Sequence, residues 1–174
     1  MSTIQLEAEE HRFRGEIFQD IIRLQEIFDS RILWGNPHEI YFKSVFIEVI
    51  VHLRDLLAKA DKIGLRVSFS DDMAVDAHIT DVTGLITFFR NAVCHIDSYT
   101  RRVTDNEIHT LSFFEGKVKF AGYNESIEVG SDYDDDRAFA TGKKTIYLKR
   151  HIERAFEELK VIFAKPFSVR YTLR

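Results

Sequence analysis

The chain predicts a mainly α fold: a four-helix bundle with a small antiparallel β insertion before the last helix. Three observations lead there. Apolar residues recur at three- and four-residue steps in four separate segments, the periodicity of an amphipathic helix. One segment, about 104–148, breaks that pattern and alternates apolar and polar residues instead. The length, 174 residues, suits one domain with a substantial core, so residues 1–174 are read as a single unit.

The first helix is expected over about Glu7 to Leu33. Phe13, Ile17, Ile21, Leu24, Phe28 and Ile32 form one apolar stripe. Trp34-Gly35-Asn36-Pro37 ends it, because proline cannot continue a helix and Gly and Asn suit its exit. The second helix covers about His38 to Ile63. From Ser44 to Leu53 its only ionisable residues are Glu48 and His52, so most of its circumference is buried. After a connection from Leu65 to His78, a third helix runs from about Ile79 to Tyr99. Ile79, Val82, Ile86, Phe89, Val93 and Ile96 make its seam.

In the β region, Glu107–Phe114 and Lys117–Tyr123 read as a hairpin turning at Glu115-Gly116. Ser126–Val129 and Thr145–Leu148 are candidate further strands. Between these lies an acidic run, Asp132 to Asp136, which reads as a solvated loop; it lacks the glycine and terminal glutamate of a calcium-binding loop. The last helix, about Lys149 to Phe163, buries Ile152, Phe156, Leu159 and Ile162.

Composition narrows the function classes. The net charge of −4 gives no global basic footprint of the sort that holds duplex DNA non-specifically. Cys94 is the single cysteine, which excludes an intramolecular disulfide and a cysteine-rich metal site. The scattered histidines have no metal-ligand spacing, so neither metal nor cofactor is expected. No apolar run approaches the roughly 20 residues that span a bilayer, and the first ten residues are polar and acidic. The expectation is a cytoplasmic protein with no membrane partner.

The third helix carries the most informative stretch, Arg90-Asn91-Ala92-Val93-Cys94-His95. Arginine presents a permanent charge in a forked donor geometry that suits phosphate. Histidine exchanges a proton near neutral pH. On a helical wheel Gly84, Phe88, Asn91 and His95 fall opposite the seam, and Arg90 lies between the two faces. From Val82 to Ile96 the only permanent charge is Arg90. A face with glycine, phenylalanine, an amide and an imidazole is neither an ordinary surface nor an ordinary core. It is expected to be covered by another helix or by a second subunit. The bland alternative is a buried histidine bonded to a carbonyl, with Arg90 paired to an acid. Cys94 is expected to be a small packed thiol.

Arg90-Asn91-x-x-x-His95, near the end of a core helix in a small bundle, resembles the signature of the HEPN superfamily: Arg, four to six residues, then His, often with a polar residue directly after the Arg. The resemblance covers the four-helix plan, but its specific motif is these six positions. Many members are metal-independent endoribonucleases, including toxins and phage-defence effectors, and they act as dimers whose motifs meet at the interface. The resemblance implies RNA as substrate, a homodimer, and Arg90, Asn91 and His95 as catalytic residues. It also implies an antitoxin or other regulatory protein as a partner. Asp97 stands where members paired with a nucleotidyltransferase antitoxin have tyrosine, so that particular partner is not implied. The alternative within the same resemblance is a non-catalytic module that binds nucleotide, RNA or protein.

Three residues of the second helix, Glu48, His52 and Asp55, share one face at steps of four and three. They either orient Arg90 and His95 from behind or form an ordinary buried polar network. Arg101 and Arg102 follow the motif helix and are candidate RNA-phosphate contacts, with ordinary surface charge as the alternative.

Overall fold

A computed structural model describes residues 3–94, 111–121 and 128–164. Among these the fold is mainly helical, with a small amount of antiparallel sheet. Four α-helices are present: α1 (Thr3–Asp29), α2 (Phe42–Lys62), α3 (Val82–Cys94) and α4 (Arg154–Ala164). A 3-10 turn, Ile32–Trp34, follows α1, and a π-helical turn, Leu148–Glu153, leads into α4.

Helix α2 is the axis of the core. Phe46, Val49, Ile50, Leu53 and Leu56 are all fully buried on it. The stripe expected on α1 packs here: Ile17 and Leu24 are buried, and Phe13, Ile21 and Phe28 rest against the same core. Val82, Ile86 and Phe89 bring the seam of α3 to α2, and Phe156 and Leu159 bring in α4. Full burial of each such side chain contributes about 1.5–3 kcal/mol, so the seams, rather than helix propensity, hold the bundle. α1 stops earlier than the apolar stripe does. Arg31 takes a left-handed conformation (φ 57°), which no helix can continue, and the stripe's last member, Ile32, sits in the 3-10 turn.

The β region corrects the expected hairpin. Its strands are β1 (Ser112–Glu115), β2 (Val118–Ala121), β3 (Glu128–Ser131), β4 (Arg137–Thr141) and β5 (Lys144–Tyr147). β1 and β2 do not pair with each other. β1 pairs antiparallel with β4, which pairs with β5; β2 pairs with β3 in a separate two-stranded ribbon. The physical reason lies at Glu115-Gly116. Arg137 Nη2 donates to Glu115 Oε1 at 2.7 Å, and the Gly116 N–H donates to the Asp136 carbonyl at 3.2 Å. Both contacts carry β1 onto β4. Phe113 then pairs across to Phe139, and Phe139 stacks on Phe46 of α2 with ring centroids 3.7 Å apart. β3 approaches β2 so closely that a Cβ on Gly130 would sit 2.0 Å from the Val118 carbonyl oxygen, so only glycine fits there.

The acidic run is also corrected. It is not a solvated loop throughout. Asp136 is 2% exposed and accepts N–H bonds from Arg137, Lys149 and Arg150, the last two in the first turn of the π-helical segment. Arg150 adds its guanidinium at 3.0 Å. Asp135 pairs with Lys149 and with Arg150, whose hydrogen bond holds its carboxyl below the usual range. A carboxylate at the start of a helix is favoured by its orphan N–H groups, and that is the use made of this run.

Arg137, 5% exposed, joins sheet to bundle. Nη1 donates to the carbonyls of Leu33 (2.8 Å) and Gly35 (2.7 Å) beyond α1. Replacing it with methionine leaves two carbonyls and the Glu115 carboxylate without their cation. The expected loss is about 3 kcal/mol, read as a lower midpoint in urea unfolding with unchanged slope.

His151 is fully buried. Its Nδ1 accepts the Tyr147 N–H at 3.1 Å, and its Nε2 lies 3.1 Å from the Asp71 carbonyl oxygen. Burial pushes its pKa below the ordinary value. The unfolded chain therefore takes up a proton near pH 6.5 that the folded chain refuses. The stability this group contributes is present above that pH and is lost as pH falls toward the folded pKa. His151→Gln is expected to flatten the decline of unfolding free energy between pH 7.5 and pH 5, and an unchanged decline would refute the assignment.

Candidate functional site

Helix α3 starts at a built cap. Asp81 Oδ1 accepts the Gly84 N–H at 2.8 Å, and Arg66 donates to both carboxylate oxygens, Nε to Oδ2 at 2.8 Å and Nη2 to Oδ1 at 3.1 Å. Burial acts to raise the Asp81 pKa, but Arg66 and the cap N–H groups outweigh it and hold the group below its usual value. Thr83 Oγ1 donates to the Val67 carbonyl at 2.6 Å, tying the same turn to the preceding connection. These bonds fix the direction in which α3 leaves that connection.

The face opposite the seam is half-buried at Gly84, Phe88 and Asn91. It lines a cleft of about 290 Å³ between α2 and α3. Arg54 on α2, and Arg66 and His78 before α3, complete the polar part of its wall. This face is thus neither fully covered nor an ordinary exposed one.

Arg90 and Asn91 touch: Arg90 Nη1 donates to Asn91 Oδ1 at 3.3 Å. The bond commits the amide oxygen. The Asn91 NH2 group makes no hydrogen bond among the described residues, and Asn91 lies on the cleft wall. Asn91 therefore links the Arg90 guanidinium to the cleft. His95, the next residue after Cys94 in the motif count, and Arg101 and Arg102 lie outside the described residues. Cys94 is exposed, not packed; it stands four residues after Arg90 and off the buried seam.

The structure directs Glu48, His52 and Asp55 toward α1. Arg23 Nε donates to Glu48 Oε1 at 2.6 Å, His52 Nδ1 lies 2.8 Å from Asp20 Oδ1, and Asp55 pairs with Lys59. Lys59, 8% exposed, also reaches Asp20 at 3.1 Å and Glu16 at 3.5 Å. Burial alone would lower the Lys59 pKa, but Asp55 and Asp20 outweigh it and raise it. Of the two readings of this trio, the geometry is that of a polar network stitching α1 to α2.

The residue that the sequence reading left out is Arg54. It shares a stripe of α2 with Ala58 and Asp61, at steps of four and three, and all three line the cleft. That spacing is visible in the sequence, but the more conspicuous Glu48-His52-Asp55 stripe lies beside it.

Among the described residues, no group of histidine, cysteine and acidic side chains could hold a metal ion, and no helix is long and apolar enough to cross a membrane. Compared with known proteins, the chain matches no family model, no curated protein and no solved structure.

The cap supplies a direct check on how α3 is held. Asp81→Ala removes a cap and leaves Arg66 without its main partner, with an expected cost of about 2 kcal/mol in unfolding free energy. Asp81→Asn keeps the cap oxygen and is expected to recover part of that loss. Equal costs for the two variants would mean that the ion pair, and not the cap, sets the stability.

Proposed function

We propose that the protein is a HEPN-like, metal-independent endoribonuclease that cleaves RNA with Arg90 and His95, with Asn91 orienting the arginine. The observation that carries this reading is the Arg90–Asn91 bond at the wall of an open cleft. Had the motif's polar face been packed against the bundle, a structural role would account for it. Instead its amide stands between a guanidinium and a space that a substrate can enter.

The chemistry follows from the residue types. The 2′-hydroxyl of the nucleotide before the scissile bond attacks phosphorus; a 2′ O–P bond forms and the P–O5′ bond breaks. His95 takes the 2′ proton or supplies one to the leaving 5′ oxygen, worth about 10² to 10⁴ in rate. Arg90 stabilises the charge that gathers on the phosphoryl oxygens, where loss of such a donor costs on the order of 10² to 10³. In a homodimer the two motifs supply two histidines, one for each proton transfer. A toxin or phage-defence role, held in check by an antitoxin or regulatory protein, fits a metal-free cut of this kind. The site needs an RNA substrate, because DNA lacks the 2′ nucleophile.

Incubation with total RNA in the presence of a chelator is the test. Wild type is expected to cut and leave 2′,3′-cyclic phosphate and 5′-hydroxyl ends. His95→Ala and Arg90→Ala are each expected to lose about 100-fold or more while keeping their circular dichroism spectra. Intact RNA with wild type, or undiminished cutting by either variant, overturns the assignment.

A further inference from the structure

We infer that the cleft between α2 and α3 is a nucleotide subsite, in which Arg54 binds the phosphate and Phe88 the base. The inference deepens the ribonuclease reading, since it places one nucleotide of the RNA strand beside the Arg90–Asn91 pair.

Three observations carry it. First, the Arg54 guanidinium is half-buried on the cleft wall and makes no hydrogen bond or ion pair among the described residues. The other arginine of the wall, Arg66, is neutralised: it pairs with Asp61 at 2.7 Å and with Asp81 at 2.8 Å. Arg54 is therefore the cation with donors to spare, and a forked guanidinium is matched by phosphate. Secondly, Phe88 gives the cleft a half-buried aromatic wall. It packs edge-on against Phe89, with centroids 5.7 Å apart and the rings at 76°. Nucleobases stack on such rings whatever their sequence.

Thirdly, the remaining polar groups suit a nucleotide rather than a bare anion. The Thr87 hydroxyl donates to the Thr83 carbonyl at 2.8 Å, which leaves its oxygen lone pairs as acceptors. The Asn91 NH2 offers donors, and His78 adds a ring nitrogen pair to the cleft wall. A site for phosphate alone has no use for acceptors or for an aromatic wall. The cleft's volume, about 290 Å³, is on the scale of small-ligand pockets.

The test titrates adenosine 5′-monophosphate and uridine 5′-monophosphate separately into the wild-type protein by calorimetry, with adenosine and inorganic phosphate as partial ligands. At least one monophosphate is expected to bind, more tightly than either partial ligand. Arg54→Gln is expected to weaken it at least tenfold, Arg54→Lys by less, and Phe88→Leu to weaken adenosine but not inorganic phosphate. Melting curves of the variants close to wild type establish that they fold; a variant that does not fold is replaced by Ala58→Trp, which fills the cleft from α2 and is expected to abolish binding. Binding of neither monophosphate, or equal binding by wild type and Arg54→Gln, overturns the inference. The two readings separate cleanly. RNA cut by a protein that binds no monophosphate removes the subsite alone. A monophosphate bound by a protein that leaves RNA intact removes the ribonuclease reading alone.

Discussion

Two adjacent residues of opposite charge, Asp136 and Arg137, are withdrawn from water together, and the arrangement of sheet against bundle depends on them. Taking either into a low-dielectric interior alone would cost several kcal/mol. Each is instead saturated from a different direction. Asp136 collects backbone N–H groups from the turn that starts the last helical segment. Arg137 reaches the carbonyls of Leu33 and Gly35, in and just after the 3-10 turn that follows α1, and the carboxylate of Glu115 on β1. One dipeptide therefore fixes three things: how the turn after α1 lies on the sheet, which strand β1 joins, and where the last helical segment begins. Only Arg137 Nε is left without a partner among the described residues.

From that anchor the β insertion acquires a role. It grips the long connection between α2 and α3. Tyr133 Oη donates to Asp72 at 2.7 Å, Lys144 of β5 meets Asp76 at 2.5 Å and the Ala74 carbonyl at 3.1 Å, and Arg154 of α4 pairs with Asp71 at 2.8 Å. Lys144 then matters beyond its own contact. Its hydrogen bond, with the N–H groups of His78 and Ile79, keeps the Asp76 carboxyl charged well below the usual range. That carboxylate turns the chain at His78 and Ile79, which line the cleft, three and two residues before the cap of α3. A side element remote from the motif in sequence thus helps to set one wall of the candidate site.

Much of the bundle was legible because its seams are local. Ile17, Leu24, Phe46, Leu53, Ile86, Phe89, Phe156 and Leu159 repeat at helical spacing and all are buried as that spacing requires. The strands β1 and β2 overlap segments that alternation picks out, and β3 and β5 overlap the two candidate further strands, but the pairing could not be read. It is decided by Arg137 reaching Glu115 over 22 positions, a tertiary contact with no local signature. β4 went unseen for a related reason: all five residues of Arg137–Thr141 are buried, so it shows no alternation and carries a charge where a core strand would not. At the site, the unusual face of α3 was visible in its composition. The direction of the Glu48-His52-Asp55 stripe was not, since a helical wheel says which residues share a face and not which neighbour they meet.

The distribution of cations argues for where ligand chemistry belongs. The chain withdraws several from water and in each case answers the cost: Lys59 meets Asp20 and Asp55, Lys144 meets Asp76, Arg150 meets Asp135 and Asp136, and Lys160 meets Glu157. Arg54 is half-buried and meets no carboxylate among the described residues, although Asp61 stands about two helical turns beyond it on the same stripe. Asp61 is committed to Arg66 instead. Folding alone gains nothing from a cation left in that condition, because partial desolvation without a partner is a cost with no return. In the subsite we infer, a phosphate supplies the missing partner. In the ribonuclease we propose, Arg54 would hold the strand from across the cleft, and the motif on α3 would need no cation beyond Arg90 to meet the phosphate that reacts.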